Sequence, residues 1–141
     1  MSIEDYFKDG KAFIWKETFA VMKAKRTHPR AFANICDKTE ITVIIDETQY
    51  HAEDVLEVEP GWKIITFDMV LPFGLVGFMA RVSGALAEAG ISLFAISAYS
   101  TDHILVKKEN LSRSIDILKN MGFSVSTIDA GGPQSKSPGT A

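Results

Sequence analysis

Apolar positions in the second half of the chain follow two distinct periods. Leu75, Phe78, Met79, Val82, Leu86 and Ala89 recur at the three-and-four spacing of a helix with one buried face. Gly90 follows where a left-handed residue would stop that helix. Residues 62–70 before it read as a strand broken by Pro72 and Gly74, and the mostly apolar run 91–98 after it reads as a central strand. A shorter strand at 103–107 lies across a turn at 99–102. Asn110 is placed to cap a second helix carrying Leu111, Ile115 and Leu118, and Gly122 closes it before a last strand at 123–128. The resulting order, βαββαβ, is the ferredoxin-like plan of an antiparallel sheet with two helices on one face.

The first half shows strands without a strong helix. Residues 11–25 mix aromatic and β-branched side chains with alternating charges and predict one long strand, ended by Thr27, His28 and Pro29. Residues 31–36 and 41–45 predict a hairpin across Asp37, Lys38 and Thr39. The acidic stretch 47–59 offers at most a helical turn at 52–56, and Pro60-Gly61 reads as a turn. The expected organisation is α+β: a degenerate unit over 11–60 and a complete one over 61–128, sharing or pairing antiparallel sheets. Residues 129–141 carry no large apolar side chain after Gly131 and read as a disordered tail.

Composition narrows the function classes. A chain of 141 residues with 46% hydrophobic content can bury roughly 68% of its unfolded surface. Fifteen basic against eighteen acidic residues, a formal charge of −3, leave no electrostatic reserve for a phosphate backbone, so nucleic acid is not an expected partner. The N-terminus lacks the apolar core of a signal peptide and no run is long enough to span a bilayer, which points to a soluble cytoplasmic protein. The single cysteine, Cys36, excludes an intramolecular disulfide and reads as a small core residue. His28, His51 and His103 have no convergent ligand spacing, so no metal or other cofactor is expected. Ser97 and Ser100 lie near His103 without the strained turn of a catalytic nucleophile, and no paired carboxylates suggest an enzyme. Trp15 and Trp62 have no basic stripe beside them and read as packing anchors.

The candidate chemistry lies where the glycine-punctuated turn enters the first helix. Free amides and the positive end of the dipole there favour a carboxylate, and Asp102 at the hairpin turn favours an ammonium or guanidinium group. Together they suit a zwitterion. Plainer readings stand beside this one. Gly74 and Gly77 can serve only to turn the chain, Asp102 only to accept backbone hydrogen bonds, and Tyr99 only to sit half-wet at a rim.

Three phrases carry a family resemblance: LAEAGIS at 86–92, FAISAYSTDHILVK at 94–107, and TEITVI at 39–44 followed by Gly61-Trp62. With them the chain resembles tandem ACT-domain proteins of the kind found in aspartate kinase regulatory parts and CASTOR-type arginine sensors. The resemblance implies a regulatory fold that binds small molecules, commonly amino acids, and has no catalytic activity. A purely structural pairing module is the alternative. It implies ligand contacts from Phe73, Gly74, Leu75, Val76 and Gly77 on one wall, Ala98, Tyr99 and Asp102 on the other, and Thr42 and Val43 from the first half. Family members often carry Thr at the position of Ala98 and Tyr or Phe at that of His103, so one ligand hydrogen bond is missing and His103 would alter the pocket's polarity. An amino-acid ligand, a homodimer and a separate regulated protein are the partners this implies.

Overall fold

The structure, a computed structural model, describes residues 2–128, for Ile128 the backbone alone; the tail expected over 129–141 lies outside the described residues. The described residues form two compact units, 2–16 with 63–128, and Glu17–Trp62. This division differs from a cut at residue 60, because the first strand of the chain joins the C-terminal elements.

In the larger unit the described elements are α1 (Ile3–Lys8), β1 (Lys11–Trp15), the C-terminal part of β5 (Val55–Phe67), α2 (Phe78–Glu88), β6 (Phe94–Ser97), β7 (Asp102–Lys107), α3 (Leu111–Met121) and β8 (Ser124–Ile128). The βαββαβ order from β5 to β8 is the predicted ferredoxin-like one. Its last strand does not adjoin its first. β1 lies between them, antiparallel to β5 (Ile14 opposite Ile65) and parallel to β8 (Ala12 opposite Val125). On the other edge β5 meets β7, which forms the hairpin with β6. Alternation along these strands sends Ala12, Ile14, Ile65, Phe67, Ile104 and Val106 into one core with Val82, Leu86 and Leu118 of the helices.

Both long helices end as their glycines predict. Gly90 and Gly122 adopt φ of 75° and 116°. Ile91 N–H then returns to the Leu86 carbonyl at 3.0 Å, and Phe123 N–H to the Leu118 carbonyl at 3.1 Å. Each pair is buried, so a backbone bond and a hydrophobic contact close each helix together.

The sequence did not suggest α1, which is six residues long and below the length at which a helix holds itself. Its stability comes from packing. Phe7 is buried, 5.5 Å from the Phe78 ring and 5.7 Å from that of Phe123, while Phe67 lies 5.3 Å from both. At its start the Ser2 N–H donates to the Asp5 carboxylate at 2.9 Å. At its end a β-carbon on Gly122 would stand 2.6 Å from the Phe7 carbonyl oxygen.

The smaller unit contains β2 (Phe19–Ala24), β3 (Ala33–Cys36), β4 (Ile41–Asp46) and the N-terminal part of β5, in the order β3-β4-β2-β5 and antiparallel throughout. Among its described residues the helical content is one 3-10 turn, Ala52–Asp54. Ala20, Met22, Ala24, Val43 and Ile45 alternate into its core, against which Ile41, Tyr50 and Val55 pack.

Three local expectations are corrected. The strand expected over 11–25 divides into β1 and β2. Ile14 faces Ile65 while Phe19 faces Trp62, so five steps on one side meet three on the other, and the polar residues 16–18 leave the ladder. Pro60-Gly61 is not a turn but a bulge within β5. Between Phe19 and Val21 the partner advances from Trp62 to Glu59, Gly61 takes a φ of 82°, and Pro60, which has no N–H to lose, is tolerated there. Cys36 is exposed rather than part of the core, because it ends β3, which pairs with β4 alone.

Two substitutions test this packing. Gly122→Ala combines a strained left-handed backbone with the contact on Phe7, and is expected to lower unfolding free energy by at least about 1–3 kcal/mol in chemical denaturation. Phe7→Ala is expected to cost about 3–5 kcal/mol in the same assay, far more than removal of an unpacked terminus.

Candidate functional site

After Phe67 the chain leaves the sheet and crosses to α2. Leu71 N–H donates to the Ser100 carbonyl at 2.7 Å, tying this loop to the β6-β7 turn, and Leu75 N–H closes a turn on Pro72 at 3.0 Å. Gly77, with φ of 90°, then starts α2 in a left-handed conformation without a side-chain cap. The opposite end of α2 is closed differently: besides the Gly90 closure, the Arg113 guanidinium donates to the Ala89 carbonyl. The helix thus has a start without a side-chain cap and an end whose Leu86, Ala87 and Ala89 carbonyls accept hydrogen bonds.

A cleft of about 440 Å³ opens at that uncapped end. Its walls are the 71–80 segment, including Phe73, Leu75 and Gly77, and residues 97–102. By helix geometry the N–H groups of the first turn point out of this end, and Phe78, Met79 and Ala80 all line the cleft. The other wall is lined by Ser97, Ala98, Tyr99, Ser100, Thr101 and Asp102. Phe73 and Tyr99 meet edge to face at 5.0 Å across the mouth, both largely exposed.

The structure therefore brings Phe73, Leu75, Gly77, Ala98, Tyr99 and Asp102 to one cleft. Gly74 and Val76 lie in the same loop but are not among its lining residues; Val76 is exposed, and a β-carbon on Gly74 would meet open space. Thr42 and Val43 belong to the smaller unit. Thr42 sits opposite Lys23 and Ile35 on β4, and Val43 is fully buried in that unit's own core. Sequence reasoning weighed Ser100 only as a nucleophile and did not single out Leu71 or Thr101. Leu71 and Ser100 are brought together by the 2.7 Å bond between loop and hairpin, which no local pattern encodes.

His103 does not enter the cleft. Asp102, Ile104 and Val106 share one face of β7, so the intervening His103 points to the other, where it is buried. Its Nδ1 lies 2.8 Å from Thr66 Oγ1, which also accepts the Trp15 indole N–H at 2.7 Å. Burial holds its pKa below the ordinary imidazole value, and the neighbouring Asp102 carboxylate opposes that shift. Among the described residues no group of three or more metal-ligating side chains forms, and no helix is long and apolar enough to cross a membrane.

A family model described as the ACT domain matches residues 57–120. The cytosolic arginine sensor for mTORC1, subunit 1, of Rattus norvegicus is 30% identical over 95 residues; the match covers 63% of this chain and 29% of the sensor's length. A protein from Agrobacterium tumefaciens superposes with a TM-score of 0.74 at 21% identity, covering 84% of this chain and 93% of that one. The regulatory subunit of aspartate kinase from Thermus thermophilus superposes with a TM-score of 0.56 at 8% identity, over 79% of this chain and 96% of its own. These two likenesses are of fold.

The buried imidazole makes stability depend on pH. The unfolded chain takes up a proton at His103 near the ordinary value of 6.5, the folded chain only at lower pH. The contribution is complete above the unfolded value and is lost as pH falls through the gap below it. Melting temperature is therefore expected to fall on acidification from neutral pH, and His103→Gln to flatten that fall.

Proposed function

We propose that this chain is an ACT domain protein, as the match over residues 57–120 supports, and that its cleft binds a free amino acid, making the protein a non-catalytic, ligand-responsive regulator. The observation that carries this reading is the meeting, in one cleft, of the uncapped first turn of α2 with the Asp102 carboxylate. An α-carboxylate suits the helix end, where free N–H groups and the dipole favour negative charge. Asp102 then suits the α-ammonium group or a cationic side chain. The aromatic pair Phe73 and Tyr99 would cover the aliphatic part of the guest. A cleft of about 440 Å³ falls within the usual range for small-molecule sites.

The relatives support the same class. One relative is an arginine sensor by name, and a protein of like fold is the regulatory subunit of aspartate kinase. Since the match spans less than a third of the sensor, its ligand and its partners are not transferred with the fold. The reading proposed here rests on residues of the larger unit alone. Action through a separate regulated protein, assembly as a homodimer and a cytosolic location complete it. A second reading, a pairing module with no ligand, is favoured by the exposed apolar side chains of Val70, Phe73, Val76 and Tyr99 around the mouth.

Thermal unfolding in the presence of each of the twenty amino acids separates the two. A ligand that binds the native state alone raises the midpoint progressively with concentration, whereas a flat response to all twenty would favour the pairing module. For an amino acid that binds, Asp102→Ala is expected to weaken affinity by about 2–5 kcal/mol in calorimetric titration. An unchanged affinity would remove Asp102 from the site.

A further inference from the structure

We propose that the N-terminal helix α1 positions the cleft without touching its contents: Ile3 and Glu4 hold the first turn of α2 in the orientation that presents its amides. The contacts fall on the segment where α2 begins. Ile3 Cδ1 lies 3.5 Å from where a β-carbon on Gly77 would stand, beside the left-handed residue that starts the helix. Glu4 forms an ion pair with Arg81 at 2.9 Å, one turn further on. That pair holds the Glu4 carboxyl below its ordinary pKa, and the Arg81 guanidinium also lies 5.6 Å from the centre of the Phe7 ring. Phe7 stacks on Phe78, which lines the cleft, whereas no residue of α1 does.

The physical need for such a brace follows from the missing cap. A side-chain cap ordinarily fixes the entry of the chain into a helix and holds the first amides in place. Here Gly77 supplies neither a side chain nor a restricted backbone, so the direction of the first turn depends on what packs against it. A site whose donors are already oriented loses less entropy when it binds, so loosening that turn lowers affinity with no ligand contact removed. The affinity part of this inference rests on the amino-acid reading above; the bracing part does not.

The test pairs Ile3→Ala with Glu4→Gln in one variant, leaving Phe7 and its core contacts intact. The conservative pair Ile3→Val and Glu4→Asp serves as rescue. Amide hydrogen exchange at residues 81–83, the first amides of α2 with a hydrogen bond to lose, is expected to rise about ten-fold in the first variant, with exchange at 85–88 unchanged, since the loosening is local. Calorimetric titration with each of the twenty amino acids is expected to show about ten-fold weaker binding for any that binds the unsubstituted protein, and the rescue pair restores both readouts. Exchange that is unchanged, or that rises equally at both ends of α2, overturns the bracing role. Local loosening with undiminished affinity overturns the link to binding. If no amino acid binds the unsubstituted protein, the amino-acid reading fails while exchange still decides the brace.

Discussion

Four phenyl rings hold the larger unit together at the place where its elements meet. Phe67 ends β5, Phe78 opens α2, Phe123 follows the closure of α3 and Phe7 arrives from α1, with each adjacent pair of rings between 5.3 and 6.1 Å apart. Aromatic contacts at these distances add specific geometry to the area they bury. Because Phe67 and Phe78 bracket the 68–77 loop, the cluster fixes both ends of the segment that forms one wall of the cleft. The loop between them is left free to carry exposed chemistry.

That arrangement explains how a small α+β fold acquires a candidate site. The two ends of α2 are treated unlike one another: the C-terminal end is closed by Gly90, Ile91 and Arg113, and the N-terminal end is left without a side-chain acceptor. An open helix start in a concave, half-apolar setting retains its positive end for a guest. Asp102 supplies the opposite charge because the pleat of β7 turns it toward the helices, while His103 is turned away into a hydrogen-bonded chain with Thr66 and Trp15. One residue along β7 separates a cleft-lining acid from a buried imidazole.

The insertion of β1 shows how the larger unit is completed by a strand from early in the chain. A simple βαββαβ unit would set its last strand against its first. Here the N-terminal strand occupies that place, parallel to β8, before the chain departs to build the smaller unit and returns through β5. The smaller unit needs little beyond its own alternating pattern, since Ala20, Met22, Ala24, Val43 and Ile45 already form a compact apolar face. Its lack of a long helix was legible because residues 17–62 contain no sustained three-and-four apolar spacing.

Much of this was written in local signals. Leu75 to Ala89 and Leu111 to Leu118 specified two helices, Gly90 and Gly122 their stops, and the βαββαβ order the ferredoxin-like class, because periodicity and left-handed glycines act over a few residues. The pairing of a helix start with Asp102 was also visible in outline. Tertiary structure alone decided the rest. Helix α1 exists because Phe7 has somewhere to pack, and a six-residue segment cannot announce that by itself. The long strand was split by a register mismatch that only its partner β5 imposes. His103 was assigned away from the cleft by the pleat, and Ser100 to it by a bond from a loop distant in sequence, since which face or neighbour a residue meets is set by pairing and not by its own identity.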